Sequence, residues 1–155
     1  MRLYLVQHGE AKTEEQDPER PLTDQGVADV RRVAGLIAGG GGMNVGRIHH
    51  SGKTRARQSA EIWGEVLGVV VDEADGLAPL DDPAVWAGRV SGVEEEEDVM
   101  LVGHMPHLGK LVGLLVAGDA ERAVVAFRPG AVVGLERGPD GWSVVLALRP
   151  DAVAG

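Results

Sequence analysis

The sequence predicts an α/β protein: a three-layer α/β/α arrangement around a mostly parallel central sheet with an antiparallel edge strand. Three observations predict it. Short apolar runs alternate with segments whose apolar residues recur at helical period, the pattern of successive β–α–β units. Towards the C-terminus the pattern changes to extended runs joined by Gly138-Pro139-Asp140-Gly141, a hairpin connection. Two of the apolar runs, Leu3 to Val6 and Val99 to Val102, end alike, the first in Gln7-His8-Gly9 and the second in Gly103-His104. The 155 residues contain no internal repeat and read as one domain over 1–155, long enough for a real core.

The elements follow in order. Leu3 to Val6 is a short buried strand. A polar loop from Glu10 to Arg20 leads to Thr23, a good helix N-cap, with Asp24 suited to the first turn. Val27, Val30, Val33, Ala34 and Ile37 give the helix its apolar face, and Gly39 to Gly42 stop it. Arg47 to His50 is a short strand, and Arg55 to Leu67 a second helix facing the core through Ala56, Ala60, Trp63 and Leu67, with Gly68 as its stop. Val69 to Asp72 is a strand, Gly76 to Pro83 a loop and Ala84 to Val90 a short helix. The acidic run Glu94 to Asp98 reads as a solvated turn before the strand ending at Val102. Pro106 opens a helix with Leu108, Leu111, Val112 and Leu115 inward. Ala123 to Phe127, Ala131 to Glu136 and Trp142 to Leu148 read as three strands.

Composition narrows the function classes. A net charge of −9 argues against nucleic acid, which is gripped by Lys and Arg, and 3% aromatic residues leave few stacking platforms. No apolar run approaches the roughly 18 residues of a membrane span. There are no cysteines, hence no disulfide and no thiolate metal site. With no secretory leader pattern at the N-terminus, a cytoplasmic location is expected. An anionic substrate would need a local positive pocket inside this acidic field.

The two strand-end histidines carry the chemistry. Ligands of open α/β sheets bind beyond the carboxyl ends of the strands. If the two strands are parallel neighbours, His8 and His104 meet at one rim, with Gly9 letting the backbone turn and approach a ligand. A neutral imidazole is a competent nucleophile, and a second imidazole could donate to the oxygens of a transferred phosphoryl group. Arg55 opens a helix, where the dipole and a guanidinium fork both suit an anion. Arg57 points to another side of that helix, and Arg20 lies in the loop after His8. Asp81 and Asp82 precede a short helix and read either as a general acid or as acidic caps. His49 and His50 are strand neighbours pointing to opposite faces, so no metal is expected there. His107, early in the helix after His104, could lie at the surface or at the rim.

In sequence order, Leu5 to Ala11 (LVQHGEA), Arg20 to Gly26 (RPLTDQG), Ser51 to Ser59 (SGKTRARQS) and Val102 to Pro106 (VGHMP) resemble the histidine phosphatase, or phosphoglycerate mutase-like, superfamily. The nearest likeness is to its small SixA-type phosphohistidine phosphatases. The resemblance implies a metal-independent, cofactor-free phosphatase. His8 would be transiently phosphorylated, Arg55 and His104 would hold the phosphoryl oxygens, and Arg20 would sit beside the same pocket. The implied substrate is a phosphohistidine-bearing protein, such as a histidine-phosphotransfer domain in signalling, or a small phosphorylated molecule. One position departs from the family's Arg-His-Gly motif: Gln7 stands where Arg is expected. Gln7 can donate a neutral hydrogen bond to substrate, but charge-assisted bonds are about twice as strong. The departure implies weaker phosphate binding or turnover, compensated by Arg20 or Arg57, or a domain adapted to binding alone.

Overall fold

A computed structural model describes residues 1–92 and 97–153. The described elements are β1 (Arg2–Gln7), α1 (Asp24–Gly39), β2 (Val45–His50), α2 (Thr54–Leu67), β3 (Val71–Glu73), α3 (Pro83–Ser91), β4 (Asp98–Gly103), α4 (His107–Val112), β5 (Val132–Gly138) and β6 (Gly141–Leu148). The six strands form one sheet in the order β3-β2-β4-β1-β5-β6. The first four are mutually parallel, while β5 pairs antiparallel with β1 and β6 with β5. The antiparallel edge therefore has two strands.

Side-chain alternation along β1 divides the core between the faces. Tyr4 and Val6 pack with Val30, Val33, Ala60 and Trp63 of α1 and α2. Leu3 and Leu5 pack with Trp86, Val90, Leu108 and Leu111 of α3 and α4. β4 is buried throughout, as continuous apolar strands between helical layers must be.

Local chemistry sets the helix boundaries. Thr23 Oγ accepts from the Gly26 amide at 2.9 Å, capping α1, and the helix ends at Gly39 as the glycine run predicts. Gly68 closes α2 with a left-handed φ of 69°, which costs glycine nothing. Pro83 starts α3, with Asp82 as its cap. α4 is short and runs on into a π-turn over Gly113–Ala117. Gly138 pairs with Gly141 across the expected hairpin.

Three expectations need correction or fall elsewhere. Ala123 to Phe127 is not a strand and pairs with none of the six strands; its apolar side chains are used in packing instead. It contributes Val125 and Phe127 to the α3/α4 side of the core. The strand expected at Val69 forms two residues later, at Val71–Glu73. Of the acidic run, Glu94 to Glu96 lie outside the described residues. Asp98 belongs to β4, where its carboxylate accepts the Arg2 amide at 2.7 Å.

Candidate active site

The site begins with a register. β1 and β4 are parallel neighbours, with Gln7 opposite Gly103. The next residue on each strand is therefore a histidine at the same rim, and the His8 amide donates to the Gly103 carbonyl at 3.1 Å. The His8 and His104 ring centroids lie 5.0 Å apart at an interplanar angle of 50°. β2 lies on the other side of β4, so Ser51, just past its end, reaches the same rim. Ser51 Oγ is 2.6 Å from His104 Nε2.

Hydrogen bonds set the protons on both rings. His8 Nδ1 is 2.7 Å from the Gly9 carbonyl, so Nδ1 carries the hydrogen and Nε2 keeps its lone pair. Ser51 Oγ receives the Lys53 amide at 3.4 Å and can donate its own proton to His104 Nε2. When Ser51 donates, the His104 hydrogen is on Nδ1, a buried atom with no partner among the described residues. Burial, opposed by the Gly9 carbonyl and reinforced by Arg55 and Arg20, lowers the His8 pKa to about 4. Burial, then His8, Arg55 and Lys53, lower that of His104 to about 3. Both imidazoles are neutral at pH 7.

Arg55, in the first turn of α2, has a buried Nε with no partner among the described residues. Burial, then the neighbouring charge of Arg20, lowers its pKa, and Glu14 opposes them. Arg20 adopts φ 48°, a left-handed conformation costly for a side-chain-bearing residue, and its Nε donates to the Lys12 carbonyl at 3.1 Å. Arg20, Lys53 and Arg55, with Glu14 and Glu19, line a cavity of about 410 Å³. The loop bearing Arg20 is tied to α2 through Thr54 Oγ and Glu19 at 3.3 Å, and through the Leu22 amide and Gln58 at 2.7 Å.

Other expectations resolve differently. Gly9 makes room for α1 rather than for a ligand: a Cβ there would stand 2.8 Å from Val30 Cγ2 and 3.0 Å from the Gly26 carbonyl. The Gly9 amide is taken by Ser59 Oγ at 2.9 Å. Gln7 is buried, and its Oε1 has no partner among the described residues. Arg57 pairs with Glu61 at 3.5 Å and is absent from the cavity wall, so it does not replace an arginine at position 7. Asp82 caps α3 through the Ala84 amide, and Asp81 accepts the Ala78 amide, both at 2.9 Å; the cap-and-turn reading prevails. His50 accepts the Gly52 amide at 3.0 Å, while His49 stacks near Trp86 on the other face. His107 is fully buried rather than at the surface. Sequence reasoning assigned no role to Ser51, Lys53 or Ser59. The signal for Ser51 was its place just past a third parallel strand.

Residues 3–98 match the family model of the histidine phosphatase superfamily (branch 1). The chain belongs to that superfamily. His104 lies beyond the matched span and joins the site through the register of β4. No curated protein matches the sequence. Among solved structures, this superfamily member is similar to the protein histidine phosphatase SixA complexed with tungstate. The two are 22% identical over 98% of this chain and 99% of that one, with a TM-score of 0.86. It is also similar to an alpha-ribazole phosphatase from Shigella flexneri, at 14% identity, 97% of each chain and a TM-score of 0.78. A mycobacterial glucosyl-3-phosphoglycerate phosphatase complexed with VO3 gives 17%, 94% of this chain, 97% of that one, and 0.71. At these identities the likeness shows the phosphoglycerate mutase-like fold. Superfamily membership supports hydrolysis of phosphate compounds.

Proposed function

We propose that the protein hydrolyses phosphohistidine on a partner protein, without a metal, through a phosphorylated His8. The single observation that carries this reading is the convergence of two neutral imidazoles, 5.0 Å apart, beside the Arg55 guanidinium. His8 Nε2 attacks phosphorus, forming a P–N bond as the P–N bond to the substrate imidazole breaks. The leaving imidazole takes its proton from water. Arg55 and the His104 imidazole hold the oxygens on which charge is spread. Water then attacks phospho-His8, releasing phosphate and restoring the ring.

Two features favour a phosphoramidate over an ester. A P–N bond to imidazole is labile without strong acid catalysis, and Asp81 and Asp82, the acids nearest in expectation, are engaged as a turn and a cap. The likeness in fold to the protein histidine phosphatase SixA supports the same reading. The likeness in fold to a glucosyl-3-phosphoglycerate phosphatase and an alpha-ribazole phosphatase supports the second reading, a phosphate ester as substrate. Turnover of a phosphorylated histidine-phosphotransfer domain against a panel of phosphate esters separates them. We expect kcat/KM on the phosphoprotein to exceed every ester by at least about tenfold, the effect of about 1.4 kcal/mol in transition-state binding. An ester turned over faster would overturn the phosphohistidine assignment. Vanadate binding with no turnover of either class would leave a phosphate-binding domain.

A further inference from the structure

We propose that Lys53 is a phosphoryl-binding residue whose ammonium, at the rim of the hollow, supplies the positive charge that Gln7 does not. This rests on the phosphoryl-transfer reading above. Lys53 occupies the N-cap of α2, where Ser, Thr, Asp or Asn would satisfy a free amide; its side chain makes no capping bond. A cation there also opposes the positive end of the helix dipole. Helix stability therefore gives no reason for a lysine at this position.

Its surroundings give one. Lys53 lines the same cavity as Arg20 and Arg55. Its backbone amide meets Ser51 Oγ, whose other partner is His104, so the residue is anchored within one hydrogen bond of a site imidazole. The Lys53 charge is also among the causes that hold His104 neutral. Among the described residues Lys53 forms no ion pair, whereas Arg57, Arg89 and Lys110 do. Arg20 is partly committed to the Lys12 carbonyl and Arg55 is fixed on its helix. Lys53 has a long flexible stem and an exposed position, so it can move to a tetrahedral oxyanion as the anion enters.

The test is vanadate binding, read by calorimetry on the full chain. The variants are Lys53→Met, Lys53→Arg, Gln7→Arg, the double Gln7→Arg/Lys53→Met, and Arg57→Met as a same-helix control outside the cavity. Loss of one charge-assisted bond predicts about tenfold weaker binding for Lys53→Met, with Lys53→Arg within about threefold of wild type. Arg57→Met should bind as wild type does. In the Gln7→Arg background, removing Lys53 should cost less than in wild type, because the two charges serve one ligand. Wild-type affinity in Lys53→Met, an equal loss in Arg57→Met, or the same Lys53 penalty in both backgrounds would overturn the proposal. Phosphoenzyme formation by the wild type is measured in parallel. A phosphoenzyme with vanadate binding indifferent to Lys53 overturns this proposal alone; neither phosphoenzyme nor vanadate binding overturns it together with the phosphatase reading.

Discussion

The role proposed for His8 rests on placement more than on residue type. Its Nδ1 hydrogen is held by the Gly9 carbonyl, and burial keeps the ring neutral, so Nε2 has its lone pair at any pH well above 4. A free histidine titrates near 6.5, and NMR titration of the ring carbons of His8 and His104 should show both neutral at pH 5.5. A midpoint near 6.5 for either would contradict the electrostatic account. The same shifts predict acid sensitivity. Between about pH 6.5 and about pH 4 the unfolded chain binds protons that these folded rings refuse, so stability falls as the pH drops through that window. Urea midpoints at pH 7 and pH 5 test the direction. Ser59 matters for a different reason: it receives the Gly9 amide and donates to the Arg55 carbonyl at 2.8 Å, joining the loop after His8 to the helix that carries Arg55. Ser59→Ala leaves a buried amide unpaired and should cost about 1–3 kcal/mol in denaturation experiments.

Helix α1 shows how differently two glycines act within one element. Gly26 lets α1 lie against the loop after His8, since a Cβ there would collide with the Glu10 carbonyl. Gly35 is exposed in the helix interior with nothing near its Cβ direction. Gly35→Ala should therefore raise stability by about 0.5–1 kcal/mol, and Gly26→Ala should lower it, as read from urea unfolding. Much at this scale was legible in the sequence. Thr23, Gly39 and Gly68 mark helix ends by local chemistry, and β1 and β4 are apolar because both their faces are covered. The strand order was not legible, because alternating elements do not say that β4 enters between β2 and β1. Val124 and Val125 have strand propensity, yet the run pairs with no strand and Val125 packs on the α3/α4 side of the core. Ser51 and Ser59 act through two hydrogen bonds each, and a lone serine carries no periodic signal.

At the scale of the whole molecule, the site exists only when the sheet is complete. His8 and His104 lie 96 positions apart in the sequence and meet through the β1–β4 register, while Arg55 arrives on a helix packed against the sheet. An oxyanion that binds there should stabilise the entire fold, by about 2.7 kcal/mol at a hundred times its dissociation constant. Vanadate should raise the melting temperature of the wild type and should do so much less for Arg55→Ala. The molecule carries a net charge of −9, and it gathers Arg20, Lys53 and Arg55, with Glu14 and Glu19, around one cavity. Such a small local excess of positive charge within an acidic molecule suits an anion. The most direct measurement is the trapping of radiolabelled phosphate on the wild type and on His8→Ala after brief exposure to a phosphohistidine protein. The account predicts an acid-labile, base-stable adduct on the wild type that maps to His8 and is missing from the variant. An adduct of undiminished yield on His8→Ala would contradict it.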